Sequence, residues 1–280
     1  MRLEAVNDFY CVNGVIEYVK KDNIFESITR PPIYEVIRVA DGVPLFLENH
    51  LERMFRSAKL IEHNPILDEN EIRIAIRDTI LHNEIQNSNI KLLSGEADEI
   101  GSVFLVYSVE TFYPPKEYYE NGIKTILYEY ERNNPNAKIL VSSFKEDVAN
   151  KMEERGAFEA LLLNKRGLIP EGSRSNIFFV KGEKLYTAPS DEVLLGITRK
   201  HIFKLAEEFN IEIIEESIHV DDLKKLDGAF MAGTGVNILP ISKIEDIELN
   251  SVNNRVIIEL IDGFNKMVKE YVEQNKNYWK

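Results

Sequence analysis

Between Ala157 and Pro189 the chain reads AFEALLLNKRGLIPEGSRSNIFFVKGEKLYTAP, three β-forming runs separated by two turns. That pattern of strand, turn, strand, turn and strand commits this stretch to a sheet, because each apolar run is too short for a buried helix and is closed by Gly, Pro, Asn or Lys-Gly punctuation. The turn ahead of IFFV holds a glycine, two serines, an arginine and an asparagine, with Glu171 at its entrance. Taken alone, Glu171 reads as a surface loop carboxylate, as most glutamates are.

The flanking sequence sets the organisation. A chain of 280 residues exceeds the common single-domain size and suggests two domains. Its 44% hydrophobic and 29% charged residues allow a sizeable core without disulfides or metals. IYEVIRVADGVPLFL places two β-rich runs around Asp41-Gly42, a dipeptide suited to a tight hairpin. ENHLERMFRSAKLI sets Leu51, Met54, Phe55, Ala58 and Ile61 on one helix face, and a second amphipathic helix is expected near 70–82. Strands are expected at 89–93 and 103–112. Tyr113-Pro114-Pro115 suits a stiff connection, so the expected domains are 1–112 and 122–280, joined by a linker at 113–121. In the second part GIKTILYEYE reads as strand, breaks at RNNPNAK and resumes as ILVSSF. A helix over 146–155 is stopped by Gly156, another starts at Thr198 or a neighbour and runs through Phe209, and strand IEIIEE follows. A short helix near 221–226, strand GAFMAGT and a last helix from about 252 complete the order, which is mixed α+β.

Charge and motif spacing exclude several functions. Lys plus Arg number 34 against 47 Asp plus Glu, and the net charge of -13 repels nucleic acid and anionic membrane surfaces. Neither is expected as a partner, and an anionic ligand must be met by local donors. Cys11 is the sole cysteine, which fits a reducing compartment. MRLEAVNDFYCV lacks a basic stretch followed by an apolar run, and no window approaches the ~18 apolar residues of a spanning helix, so the expected location is the cytoplasm. His50, His63, His82, His201 and His219 are scattered without metal-ligand spacing, and no metal is expected. EGSRSN lacks the glycine spacing of a GxSxG elbow, and neither GxxxxGK[ST] nor a GxGxxG after a strand occurs.

Three donor-rich turns remain: EGSRSN, GITR at 196–199 and GTG at 233–235. Ile197 and Thr198 can offer amides at a helix start, where the dipole favours a phosphate, and Gly233-Thr234-Gly235 can supply further amides and a hydroxyl. The plainer alternatives are that Thr198 is an N-cap and GTG a strand bulge.

Taken together in this order and spacing, RNNPNAK, FEALLLNKRGLIPEGSRSNIFFVKGEKLYTAP, LLGITRK and FMAGTGVNILPI resemble the class IV pyridoxal phosphate enzymes, a family of branched-chain and D-amino acid aminotransferases and aminodeoxychorismate lyase. YEVIRVADGVPLFLENHLERMFRSAKLI is similar to the same family's first domain. The resemblance implies a fold type IV, D-amino acid aminotransferase-like architecture with a small N-terminal α/β domain and a larger C-terminal pseudo-barrel, a homodimer, and pyridoxal 5'-phosphate as cofactor.

It also implies roles. Lys138, with Arg132 and Pro135 upstream, matches the lysine that forms the Schiff base; by sequence alone Lys145 and Lys151 are close rivals. Glu171 matches the acid that keeps the pyridine nitrogen protonated. Ser173, Arg174, Ser175 and Asn176 belong in or near the cofactor site. Arg53, Ile197, Thr198 and Thr234 match the phosphate-binding set, although helix counting puts Arg53 about 160° from the apolar stripe, where a solvated arginine is expected. Tyr34 and Arg38, on one strand face with Val36, border the substrate pocket together with Gly235.

Two departures bear on the substrate. The segment before the linker has no Arg-x-His pair, and ILVSSF stands where branched-chain enzymes carry GNY beyond the lysine, leaving open which residue contacts the cofactor's phenolic oxygen. The implied function is amino transfer between an amino acid and a 2-oxo acid. The alternatives are a lyase releasing pyruvate to give 4-aminobenzoate, and a phosphometabolite binder without turnover.

Overall fold

The computed structural model describes residues 4–19, 24–29, 31–98, 100–131, 135–140 and 142–279. Packing divides the chain into two compact units, one of residues 1–112, 137–140 and 268–280, the other of 113–136 and 141–267.

The first unit is built on an antiparallel sheet of β1 (Phe9–Val12), β2 (Val15–Tyr18), β3 (Ile33–Ala40), β4 (Val43–Pro44), β5 (Ser88–Ala97) and β6 (Gly101–Val109), in the order β2-β1-β6-β5-β3-β4. Strict alternation in β3 buries Ile33, Glu35, Ile37 and Val39 on one face and leaves Tyr34, Val36 and Arg38 half-buried on the other. Asp41 and Gly42 take positive φ, as the expected hairpin requires, with Ala40 opposite Val43. Helix α1 (Leu47–Leu60) packs on β3 and buries the row Leu47, Leu51, Met54 and Ala58. No side chain caps it locally; the Tyr271 hydroxyl accepts from Leu47 N at 3.3 Å and donates to Glu48 at 2.9 Å, which ties the end of the last helix to this unit. Helix α2 (Glu69–His82) opens on an Asp68/Glu71 capping box.

The second unit contains α3 (Lys116–Asn121), within the expected linker, then β7 (Ile123–Glu129), α4 (Ser142–Arg155), β8 (Glu159–Leu163), β9 (Leu168–Ile169), β10 (Asn176–Lys181), β11 (Lys184–Thr187), α5 (Ile197–Glu208), β12 (Ile213–Glu215) and β13 (Ile218–His219). A 3-10 helix (Val220–Lys225), β14 (Gly228–Gly233), β15 (Asn237–Ile244), β16 (Ile247–Glu248) and α6 (Arg255–Trp279) follow, the residues of α6 from 268 on belonging to the first unit. The main sheet runs β12-β11-β10-β14-β15-β7-β8, with β16 on β15. Alternate side chains of β10 go to opposite faces. Ile177 and Phe179 join Leu161, Met231, Leu239 and Ile241 in one cluster, while Phe178 stacks on Phe230 at 5.0 Å and meets Phe203 of α5.

Among the described residues one expected strand is absent. In ILVSSF, Ile139 makes a single bridge to Ile33 and α4 begins at Ser142, because a Ser-Ser pair favours a helix start over a strand. Arg132 lies outside the described residues, as does the side chain of Lys145. Among the described residues no helix is long and apolar enough to cross a membrane, and no cluster of His, Cys, Asp or Glu could hold a metal ion.

Phe178 is fully buried between Phe230 and α5. Phe178→Ala is expected to cost about 3–5 kcal/mol, read from the denaturant midpoint at unchanged slope.

Candidate active site

In the second unit, antiparallel pairing sets Asn176, the first residue of β10, opposite Ala232 near the end of β14, so the turn entering β10 lies beside the turn leaving β14. A Cβ on Gly233 would lie 3.7 Å from the Arg174 carbonyl oxygen and 4.0 Å from Ser175 Cβ. The third turn joins them through Asn176, whose amide donates to the Leu194 carbonyl at 2.8 Å and whose Oδ1 would be 2.1 Å from a Cβ on Gly196. A side chain at position 196 would therefore displace the Asn176 amide. The three polar turns converge at one end of the sheet.

Glu171 is 4% exposed. Its carbonyl accepts from Leu162 N at 2.8 Å, its Oε2 lies 3.4 Å from Leu194 N, and it bridges to Asn176. With Tyr130, Pro135, Leu162, Asn164 and Glu192 it lines a cavity of about 120 Å³. The surface-carboxylate expectation fails here because the turn folds back onto β8. Ser173 and Ser175 direct their hydroxyls to the buried Glu159, at 2.5 and 2.8 Å. Arg174 reaches outward, donates to the Phe158 carbonyl at 2.7 Å and lies over the Phe158 ring.

Helix α5 starts two residues earlier than a Thr198 N-cap would require. Gly196 is the N-cap and no side chain caps the helix, so the first-turn amides of Ile197 and Thr198 have no intrahelical acceptor. Both residues are buried. Arg199 of the same turn is structural: it donates to Thr187 Oγ1 at 2.7 Å, to the Ala188 carbonyl at 2.9 Å and to Glu215 at 2.9 Å. GTG is a hairpin turn rather than a bulge, since Gly233 pairs with Asn237 across Thr234, Gly235 and Val236.

In the first unit, Lys138 is half-buried beside β3. Its carbonyl accepts from Tyr34 N at 3.1 Å, its N–H donates to Ser57 Oγ at 3.3 Å, and its Nζ lies 4.9 Å from the centre of the Tyr34 ring. Lys151, by contrast, is exposed and paired with Glu154. Arg53 is not solvated. It is 4% exposed and binds Glu35 with two nitrogens, Nε to Oε1 at 2.7 Å and Nη2 to Oε2 at 2.5 Å, while His50 Nδ1 meets Oε2 at 2.7 Å. The reason is a second buried row on α1, His50, Arg53 and Ser57 at i, i+3 and i+7, for which the buried Glu35 supplies the counter-charge. Arg38 and Tyr34 share a half-buried strand face, as alternation requires.

Sequence reasoning missed Glu35, His50 and Glu159. Glu35 had a signal, a charged residue at a buried position of an apolar alternation, and so did His50, spaced with Arg53 and Ser57 along one row. Glu159 heads an apolar run and carried no comparable mark.

The family model described as amino-transferase class IV matches residues 32–244, and the chain belongs to that family. It is 30% identical over 264 residues to the putative branched-chain-amino-acid aminotransferase of Methanocaldococcus jannaschii, covering 88% of each chain. To the D-alanine aminotransferase of Bacillus licheniformis it is 27% identical, covering 78% of this chain and 81% of that one. The fold matches the branched-chain amino acid aminotransferase of Thermobaculum terrenum in its PLP form at a TM-score of 0.82 and 21% identity, over 98% of each chain. The protein is a class IV aminotransferase with the mixed α+β fold of fold type IV, and the lyase alternative is not favoured.

Burial pushes the Glu35 carboxyl up, but the Arg53 charge and hydrogen bonds from Arg53 and His50 outweigh it and hold the group at about 2. Burial lowers His50, aided by the Arg53 and Lys138 charges and opposed by Glu35. Both shifts make the unfolded chain bind more protons, so stability rises with pH. The Glu35 contribution, about 3 kcal/mol, is present above pH 4.5 and is lost as pH falls towards 2. Glu35→Gln is expected to flatten this part of the unfolding free energy against pH; parallel curves for the two proteins would contradict it.

Proposed function

We propose that this aminotransferase works with pyridoxal 5'-phosphate and moves an amino group between an amino acid and a 2-oxo acid, with Lys138 as the lysine that carries the cofactor. The donor set fits such a group. An uncapped helix start at Ile197 and Thr198, next to the Thr234 turn, suits a phosphate, and a nearly buried carboxylate at Glu171 suits a protonated ring nitrogen. The convergence of these turns at one sheet end is the observation that carries the reading. When bound, the cofactor supplies an electron sink for charge developing at the substrate Cα.

The other roles belong to the chain's own residues. Glu171 holds a proton at the ring nitrogen. Asn176 fixes the turn through Leu194, and Ser173, Arg174 and Ser175 shape its rim. Arg53 is the phosphate-directed cation of the first unit, held rigid by Glu35. Lys138 Nζ takes the proton from the substrate Cα, and Tyr34, Arg38 and Gly235 border the substrate. The names of the relatives put branched-chain amino acids and D-alanine first in a donor screen. A homodimer in the cytoplasm completes the proposal. Exposed Val15 and Phe112, near NDFYCVNG and FYPPKEYY, offer apolar surface for a second copy.

Purified protein is expected to be yellow and to bleach on adding an amino donor. Lys138→Ala should lower kcat by about a thousandfold or more and abolish the bleaching, while Lys151→Ala stays within about twofold. A Lys138→Ala protein that turns over normally would overturn the assignment.

A further inference from the structure

Glu159 opens β8 and is fully buried, yet it belongs to none of the groups given a role above. Its Oε1 accepts from the N–H groups of Ala160 at 2.9 Å and Ser173 at 3.1 Å and from the Ser173 hydroxyl at 2.5 Å. Its Oε2 accepts from the Ser175 hydroxyl at 2.8 Å and lies 3.8 Å from Arg174 Nε. Ser173 and Ser175 thus send donors to one carboxylate, and the Arg174 charge lies beside it. Gly172 closes over it: a Cβ there would be 3.1 Å from Glu159 Cδ and 2.4 Å from Ser175 Oγ.

A carboxylate sunk in a sheet with one exposed arginine nearby is costly, and an apolar residue would fill the position without that cost. What the carboxylate adds is direction. It ties the turn to a strand whose backbone also holds both ends of the knot, Leu162 N donating to the Glu171 carbonyl and Ser173 N donating to the Ala160 carbonyl, each at 2.8 Å. Glu171 and Asn176 flank residues 172–175 and are bridged to each other.

We propose that Glu159 is a positioning residue for the transfer reaction: by gathering the donors of Ser173 and Ser175 it fixes where the Glu171 carboxylate points. The inference rests on the role proposed for Glu171.

The test uses the full chain reconstituted with pyridoxal phosphate carrying nitrogen-15 in the ring, together with cofactor binding to the apoprotein and thermal melting. The wild-type ring-nitrogen signal is expected in the protonated range. In Glu159→Ala it should move towards the neutral position and the cofactor Kd should rise on the order of tenfold, while Glu159→Gln, which keeps one acceptor oxygen, falls between. If Glu159→Ala does not fold, Glu159→Gln and Ser175→Ala carry the same readouts. A lower melting temperature with an unmoved signal and unchanged Kd would show a purely architectural residue and overturn the proposal. Glu171→Gln separates the two levels. Movement there with none in the Glu159 variants sinks this inference alone, and no movement there sinks the role of Glu171 and this inference with it.

Discussion

The antiparallel pairing of β10 with β14 is the constraint on which the second unit's chemistry depends. Because Asn176 stands opposite Ala232, a turn at residues 171–175 and a turn at 234–236 must emerge at the same end of the sheet, whatever their side chains. The contact of Asn176 with Leu194 then delivers the start of α5 to the same place. Strand register therefore gathers amides and hydroxyls that are far apart in sequence, and it does so with backbone hydrogen bonds that point mutations in the turns leave intact. On a chain with a net charge of -13, the anion site proposed at this end is a local construction against the protein's mean field.

The first unit solves a different problem, holding a buried arginine rigid. One buried carboxylate, Glu35, receives Arg53 through two nitrogens and His50 through a third, so the arginine is fixed by the fork geometry that a lysine could not supply. Lys138 lies beside this group, anchored by its backbone to Tyr34 and Ser57 while its amine rests over the Tyr34 ring. A short segment that returns from the middle of the sequence thereby presents its lysine on a strand whose alternation is strict.

Much of this was legible in the residues. The Asp41-Gly42 hairpin, the apolar row of α1 and the strands around EGSRSN follow from local rules, and the hairpin and α1 appear as expected. In ILVSSF, Ile139 and Leu140 look like strand until the serines behind them are weighed as a helix start. Helix counting puts Arg53 in solvent because it tracks only apolar residues, whereas α1 buries a polar row as well once a charged partner waits on β3. Glu159 was invisible for a related reason: a lone carboxylate ahead of an apolar run means nothing until the fold brings residues 173–175 to it. Local periodicity reports which residues leave water, and it is silent on which polar groups leave water together.

Reduction with borohydride, followed by proteolysis and mass spectrometry, tests the central assignment most directly, because it turns the bond between protein and cofactor into a permanent label. The label is expected on the peptide containing Lys138 and on no other. Its appearance on Lys145, Lys151 or any other lysine, or its absence from a yellow protein, would contradict the account.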